Sequence, residues 1–102
     1  MTIRGIRNIV RQLSTQELKR ELLRVDPENS TVEEVQQCAA EIDRLTAEYN
    51  RAIDRLSMDV WEEKCIYLFW VKNYSWKKIA QIVTGRVDTA DSLRVRCSKY
   101  EW

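Results

Sequence analysis

The chain has 102 residues, enough for one domain with a hydrophobic core, and its 32% charged and 44% hydrophobic content excludes a disordered protein. Two glycines and one proline are too few for the many turns of an all-β fold. The formal net charge of +1 gives by itself no indication of a nucleic-acid partner.

The first segment predicts helical structure that ends at a proline. Apolar residues recur at helical spacing over residues 3–13, with three arginines on a neighbouring face: Arg4, Arg7 and Arg11. Ser14 and Glu17 have the spacing of a capping box, so either a second short helix runs to about Val25 or the whole segment is one helix. Pro27 disfavours helical geometry in the residue before it, so helical structure should stop near residues 26–29.

A long helix is predicted next, opened by a capping box at Ser30 and Glu33. Its apolar residues alternate at spacings of three and four, which is the a/d seam of a coiled coil: Val35, Cys38, Ile42, Leu45, Tyr49, Ala52 and Leu56. This seam is either an intramolecular core or a homodimer interface, and we expect part of it to serve each purpose.

Three shorter helical elements follow. Asp59 and Glu62 predict the start of a helix over residues 60–72, which is apolar nearly all round in its second half. Ser75 predicts the N-cap of a helix over residues 76–83, and Gly85 predicts its end in a left-handed C-terminal conformation. Asp88 predicts the N-cap of a last helix over residues 89–100. The predicted fold is all-α, with N-terminal helices and a long coiled-coil-like helix (residues 1–58) packed on a C-terminal helix-turn-helix (59–102) in one compact domain.

Charge is unevenly distributed along the chain. Residues 1–25 carry six basic and two acidic side chains, residues 26–71 carry four and eleven, and residues 72–102 carry seven and three. Two basic ends therefore flank an acidic middle, an asymmetry that suggests a polyanion-binding end.

Cysteine spacing and hydropathy argue against a zinc site, a disulfide framework and a membrane-spanning segment. Cys38, Cys65 and Cys97 are far apart and the chain contains no histidine, which argues against a zinc site or a disulfide framework. The start MTIRG leads into no apolar leader segment, and the longest apolar run, CIYLFWV, is too short to span a bilayer. We expect reduced thiols in a cytoplasmic protein, with no metal, no cofactor and no membrane partner.

Both C-terminal helices are amphipathic. The first has an apolar face formed by Trp76, Ile79, Ala80 and Val83, and a polar face formed by Lys77, Lys78 and Gln81. The second has an inward face formed by Ala90, Leu93, Cys97 and Tyr100. Its outward face carries Asp91, Ser92, Val95, Arg96, Ser98 and Lys99, with Arg94 at the margin. These outward residues are either an ordinary solvent face or a surface that reads DNA.

The chemistry of that outward face suits a recognition helix. Arginine can donate two hydrogen bonds to guanine in the major groove, and Val95, an apolar side chain among polar ones, could touch a thymine methyl group. Ser92 at the helix start could hold a phosphate, while Lys77 and Lys78 could reach the DNA backbone alongside.

The stretch WVKNYSWKKIAQIVTGRVDTADSLRVRCSKY resembles the fourth conserved region of bacterial sigma factors and, more closely, the sigma-like C-terminal domains of small phage-encoded transcriptional activators. The resemblance covers about residues 56–100. It implies that the SWKKIA helix supports the motif and that helix 89–100 enters the major groove. The implied base contacts are Ser92, Arg94, Val95 and Arg96. The implied phosphate contacts are Lys77, Lys78 and Lys99.

Two functions remain open at this level, and neither is enzymatic. A catalytic site is not expected, because no serine or cysteine has a histidine to activate it and no glycine-rich phosphate loop is present. The resemblance implies a regulator that binds double-stranded DNA, encoded by a phage or prophage and acting in the bacterial host beside RNA polymerase. The alternative is an anti-CRISPR-like inhibitor of a host nuclease, with the helix-turn-helix as scaffold. Its partner surface would be the acidic middle of the chain. The carboxylates along the long helix belong either to that surface or to an ordinary solvated face: Glu33, Glu34, Glu41, Asp43, Glu48 and Asp54.

Overall fold

The computed structural model describes the backbone of residues 1–102 and every side chain except that of Asn29. Within this description the chain is 79% helical, with five α-helices and no strand, which confirms the predicted all-α class. The helices are α1 (Ile3–Val25), α2 (Val32–Asp54), α3 (Trp61–Trp70), α4 (Trp76–Thr84) and α5 (Ala90–Lys99). Across the described residues, none of these helices has both the length and the apolar character that crossing a membrane requires.

Helix α1 is continuous, which decides between the two alternatives left open for the N-terminal segment. Ser14 lies in the middle of α1 rather than at a helix start. The next residue, Thr15, donates its hydroxyl to the carbonyl of Arg11 at 3.0 Å, a bond made inside a helix. The chain leaves helical geometry only at the predicted proline, where Pro27–Asn29 forms a 3₁₀ turn.

The cap of α2 lies one residue later than predicted. The Thr31 hydroxyl accepts the Glu34 backbone N–H at 3.1 Å, and the Glu34 carboxylate accepts the Thr31 N–H at 3.5 Å. Ser30, the predicted cap, instead donates its hydroxyl to the carbonyl of Asp26 at 2.9 Å. Ser30 therefore closes the preceding turn, and Thr31 forms the capping box.

The two compact units of the structure divide the chain differently from the predicted boundary at residue 58. One unit comprises residues 6–51, and the other comprises residues 1–5 and 52–102. In the second unit, Ile53 and Leu56 pack in the same apolar cluster as Ile66 of α3, and the Trp102 indole N–H donates to the Ala52 carbonyl at 2.8 Å. The last turn of α2 therefore belongs with the C-terminal helices.

Most of the predicted seam is buried within the single chain. In the unit of residues 6–51, Cys38 donates its thiol S–H to the backbone carbonyl of Gln16 in α1 at 3.2 Å. The buried seam residues are Cys38, Ile42, Leu45, Ala52 and Leu56. Tyr49 is half-buried and Val35 is exposed. This burial favours the intramolecular interpretation over a dimer interface at these positions.

The long helix ends before the last residue of the predicted seam. Helix α2 has 23 residues and ends at Asp54, so Leu56 lies beyond it. The Leu56 N–H donates to the Ile53 carbonyl at 3.1 Å, which tightens the chain into a turn.

The second unit is built around α3. Its buried cluster contains Ile3, Leu56, Cys65, Ile66, Ile79 and Cys97. Cys65 and Ile66 are completely buried, as expected for a helix with apolar residues on more than one side. The Phe69 ring stacks on the Trp76 ring of α4 at a centroid distance of 4.7 Å.

The start of α3 is held by a different acidic residue from the predicted one. Val60, not Asp59, occupies the cap position and makes no side-chain capping bond. The buried Glu63 carboxylate accepts the Ser57 N–H at 3.2 Å and the Tyr100 hydroxyl at 2.7 Å. Because a buried carboxylate needs hydrogen-bond partners, Glu63 ties the entry of α3 to the end of α5.

Candidate nucleic-acid interface

Helix α4 begins and ends as its sequence predicts. The Ser75 hydroxyl accepts the Lys78 backbone N–H at 3.2 Å and caps the first turn. Gly85 ends the helix in the left-handed region with φ of 73°, and its N–H donates to the Gln81 carbonyl at 3.1 Å. Glycine adopts this conformation without the steric cost that a Cβ would impose.

The turn between α4 and α5 is held by two threonine hydroxyls. Thr84 Oγ1 lies 2.9 Å from Thr89 Oγ1, and Thr89 donates to the Arg86 carbonyl at 2.7 Å. Asp88 does not cap α5, contrary to the prediction. It lies in the 3₁₀ turn Val87–Thr89, where its carboxylate accepts a hydrogen bond from the Arg86 guanidinium at 2.8 Å. Arg86 and Asp88 therefore form an ion pair with each other within this turn.

Helices α4 and α5 pack through small residues. Ala80 is completely buried, and it forms a cluster with Ala90 and Leu93, against which Trp76 packs. On α5, Leu93 and Cys97 are buried and Tyr100 is half-buried, so the predicted inward face is confirmed. The residues on the opposite face of α5 are exposed.

The exposed face of α5 brings together most of the predicted contact residues. The side chains that line one shallow depression are Asp91, Ser92, Val95, Arg96 and Lys99. Val95 is 43% exposed, which is unusual for an apolar side chain central to a polar face. Lys77 and Lys78 are exposed on the first turn of α4, where Lys78 Nζ lies 4.0 Å from the centre of the Tyr74 ring.

The two arginines of α5 lie near carboxylates. Arg94 Nε is 3.9 Å from Asp91 Oδ1, one turn earlier on the same helix. Arg96 Nη2 is 3.8 Å from Glu62 Oε1 on α3, and its guanidinium carbon lies 4.7 Å from the centre of the Trp61 ring. These ion pairs reduce the positive potential of the face, so its affinity for any phosphate chain is weaker than its arginine content suggests.

Trp61 is the residue near this face that sequence reasoning missed. The sequence separates it from Arg96 by 35 positions, and no spacing rule links the start of one helix to the middle of another. Only the packing of α3 against α5 brings the two side chains together.

The acidic surface of the alternative hypothesis is partly neutralised. Arg44 donates to the carboxylates of Glu41 and Glu48, the latter at 3.3 Å. The hydrogen bond from Arg44 holds the pKa of the Glu41 carboxyl below its ordinary value. Helix α2 therefore presents interspersed charges rather than a continuous row of negative ones.

Comparison with protein families, with curated proteins and with solved structures finds no match.

Proposed function

We propose that the protein is a sequence-specific DNA-binding transcriptional regulator whose helix α5 enters the major groove. The observation that carries this proposal is the composition of the exposed α5 face. Polar and charged side chains, most of them hydrogen-bond donors, surround one apolar side chain, Val95, which is 43% exposed on the side of α5 opposite Leu93. Base edges in the major groove offer both hydrogen-bonding groups and methyl groups, so a mixed face of this kind is complementary to them.

In this proposal the side chains of α5 divide between the bases and the phosphates. Arg94 and Arg96 donate to guanine edges, Val95 contacts a thymine methyl group, and Ser92 hydrogen-bonds to a base at the start of the helix. Lys99, together with Lys77 and Lys78 of α4, contacts phosphates, and these contacts fix the position of α5 in the groove.

The packing of α4 against α5 supports this division of roles. Ala80 is completely buried, and the hydroxyls of Thr84 and Thr89 lie 2.9 Å apart in the turn, which supports a fixed arrangement of α4 and α5. A rigid pair can hold α5 in the groove while α4 lies against the backbone.

The wider setting of the proposal comes from the sequence resemblance. The regulator would be encoded by a phage or prophage and would act in the bacterial cytoplasm beside RNA polymerase. A homodimer remains a prediction; since Cys38, Ile42 and Leu45 are buried within one chain, its interface would lie elsewhere than at those positions.

The test is the binding of purified variants to a duplex selected from a random pool and to a scrambled duplex, at two salt concentrations. Arg94→Ala should weaken binding to the selected duplex by about 1–3 kcal/mol and relax the preference at one base pair. Lys77→Ala should weaken binding to both duplexes alike and lower the salt slope by about one. Lys19→Ala, which removes the same charge from α1, serves as the matched control and should change neither quantity.

Equal binding of wild-type protein to the selected and scrambled duplexes would contradict the proposal. The nuclease-inhibitor alternative expects that result. It also expects loss of inhibition from substitution of carboxylates of α2, such as Glu41→Lys or Glu48→Lys.

A further inference from the structure

The Arg96 guanidinium rests on an aromatic ring. Its central carbon lies 4.7 Å from the centre of the Trp61 indole, within the range of a cation–π contact. Trp61 remains 38% exposed and the Arg96 side chain 67% exposed, so both stay accessible from solvent. The nearest carboxylate oxygen, on Glu62, is 3.8 Å from Arg96 Nη2, which is an ion-pair distance but too long for a hydrogen bond.

Stacking and hydrogen bonding use different parts of a guanidinium. The flat face of the group meets the ring, whereas its five N–H donors point outward in the plane. The Arg96 guanidinium carbon lies over the Trp61 ring, so this contact restricts the orientation of Arg96. A guanidinium that lies flat on a ring can still donate from the N–H groups at its edge. Bidentate recognition of guanine requires two of these donors in one plane.

The helix that carries Trp61 is anchored in the core. Trp61 is the first residue of α3, whose Cys65 and Ile66 are completely buried. The thiol of Cys97, the residue after Arg96, is directed at the Glu62 carbonyl at 3.9 Å and is also completely buried. Buried contacts next to Trp61 and Arg96 therefore hold the two backbone segments near each other, in addition to the contact between the two exposed side chains.

We propose that Trp61 is a positioning residue that orients Arg96 for bidentate hydrogen bonding to a guanine in double-stranded DNA. This inference rests on the DNA-binding function proposed above. Orienting the guanidinium before binding reduces the side-chain entropy lost in the complex, so the stack contributes to selectivity for guanine without itself touching DNA. Arg94, whose guanidinium pairs with Asp91 one turn earlier on α5, is expected to contribute less selectivity.

The first test uses the free protein. The Arg96 Nε proton should show an upfield ring-current shift in the NMR spectrum of wild-type protein. Trp61→Leu should abolish this shift and Trp61→Tyr, which keeps an aromatic face, should retain most of it. Because Trp61 is exposed, both variants should keep the wild-type melting temperature. A resonance at the random-coil position in wild-type protein would overturn the inference without any reference to DNA.

The second test measures selectivity for guanine. Wild-type protein, Trp61→Leu and Trp61→Tyr are titrated with the selected duplex and with the same duplex carrying 7-deazaguanine, which lacks one acceptor of the guanine edge. Trp61→Leu should reduce the ratio of the two affinities about three- to tenfold, and Trp61→Tyr should restore most of it. Val71→Ala, an exposed apolar residue just beyond the other end of α3, is the matched control and should leave the ratio unchanged.

The outcomes separate this inference from the function on which it rests. If Arg96→Ala abolishes guanine selectivity and Trp61→Leu keeps it, the positioning role is wrong and DNA recognition stands. If wild-type protein binds all duplexes equally, the proposed function fails and the positioning role fails with it. A selectivity loss in Trp61→Leu that Trp61→Tyr does not restore would indicate a merely structural effect and would also overturn the inference.

Discussion

Substitution of Ala80 by leucine tests the crossing of α4 and α5 directly. Ala80 has no exposed surface, and Ala90 and Leu93 surround it with 8% and 7% exposure. Leucine adds three heavy atoms where no space is open, so the helices must separate or a neighbour must leave its preferred rotamer. Overpacking of this kind typically costs about 1–3 kcal/mol. At about 4–8 °C per kcal/mol for a chain of this length, Tm should fall by at least about 4 °C.

Circular dichroism melts and urea titrations of Ala80→Leu and wild-type protein provide the measurement. Ala47→Leu is the matched control, because Ala47 is exposed on α2 and leucine and alanine have similar helix propensities. The control should leave Tm within about 2 °C, since surface substitutions usually change stability little. An Ala80→Leu protein that melts at or above the wild-type temperature would refute the crossing at this residue.

Four other substitutions test the core, the helix boundaries and the hydrogen bond between Tyr100 and Glu63. Ile66→Ala removes a completely buried side chain and should lower the free energy of unfolding, measured by urea titration, by about 2–5 kcal/mol. A smaller loss would mean that neighbouring side chains fill the space or that the site is less enclosed than the structure shows. Thr31→Ala should lower the free energy of unfolding by about 1 kcal/mol, and Ser14→Ala should leave it unchanged. A larger loss from Ser14→Ala than from Thr31→Ala would place a helix start at Ser14. The hydrogen bond to Glu63, reinforced by burial, raises the pKa of the Tyr100 phenol above its ordinary value of 10.0. The folded state therefore binds the phenol proton more tightly than the unfolded state does. The stabilisation of the folded state by this hydrogen bond is complete below the ordinary pKa of tyrosine. It is lost as pH rises through the raised pKa of Tyr100. Urea midpoints measured from neutral to alkaline pH should fall more steeply for wild-type protein than for Tyr100→Phe, and parallel curves would contradict this linkage.

Local sequence signals predicted features that depend on neighbouring residues. Ser75 caps α4 and Gly85 ends it because both effects act within one turn of helix. Pro27 stops α1 for the same reason, since its ring restricts the residue before it. At Ser30 the predicted cap was one residue early, because the Thr31 hydroxyl can equally reach a backbone N–H three residues later and forms the capping box with Glu34.

The sequence by itself determined the all-α class, the number of helices after Pro27 and the inward face of α5, since hydrophobic periodicity encodes them directly. Only the tertiary structure decided which distant side chains meet. Glu63 receives the Tyr100 hydroxyl across 37 residues, and Trp61 lies beneath Arg96 across 35. Such contacts depend on how α3 and α5 pack, and helix packing is set by the shapes of many side chains together, whereas periodicity records only which side of each helix is apolar.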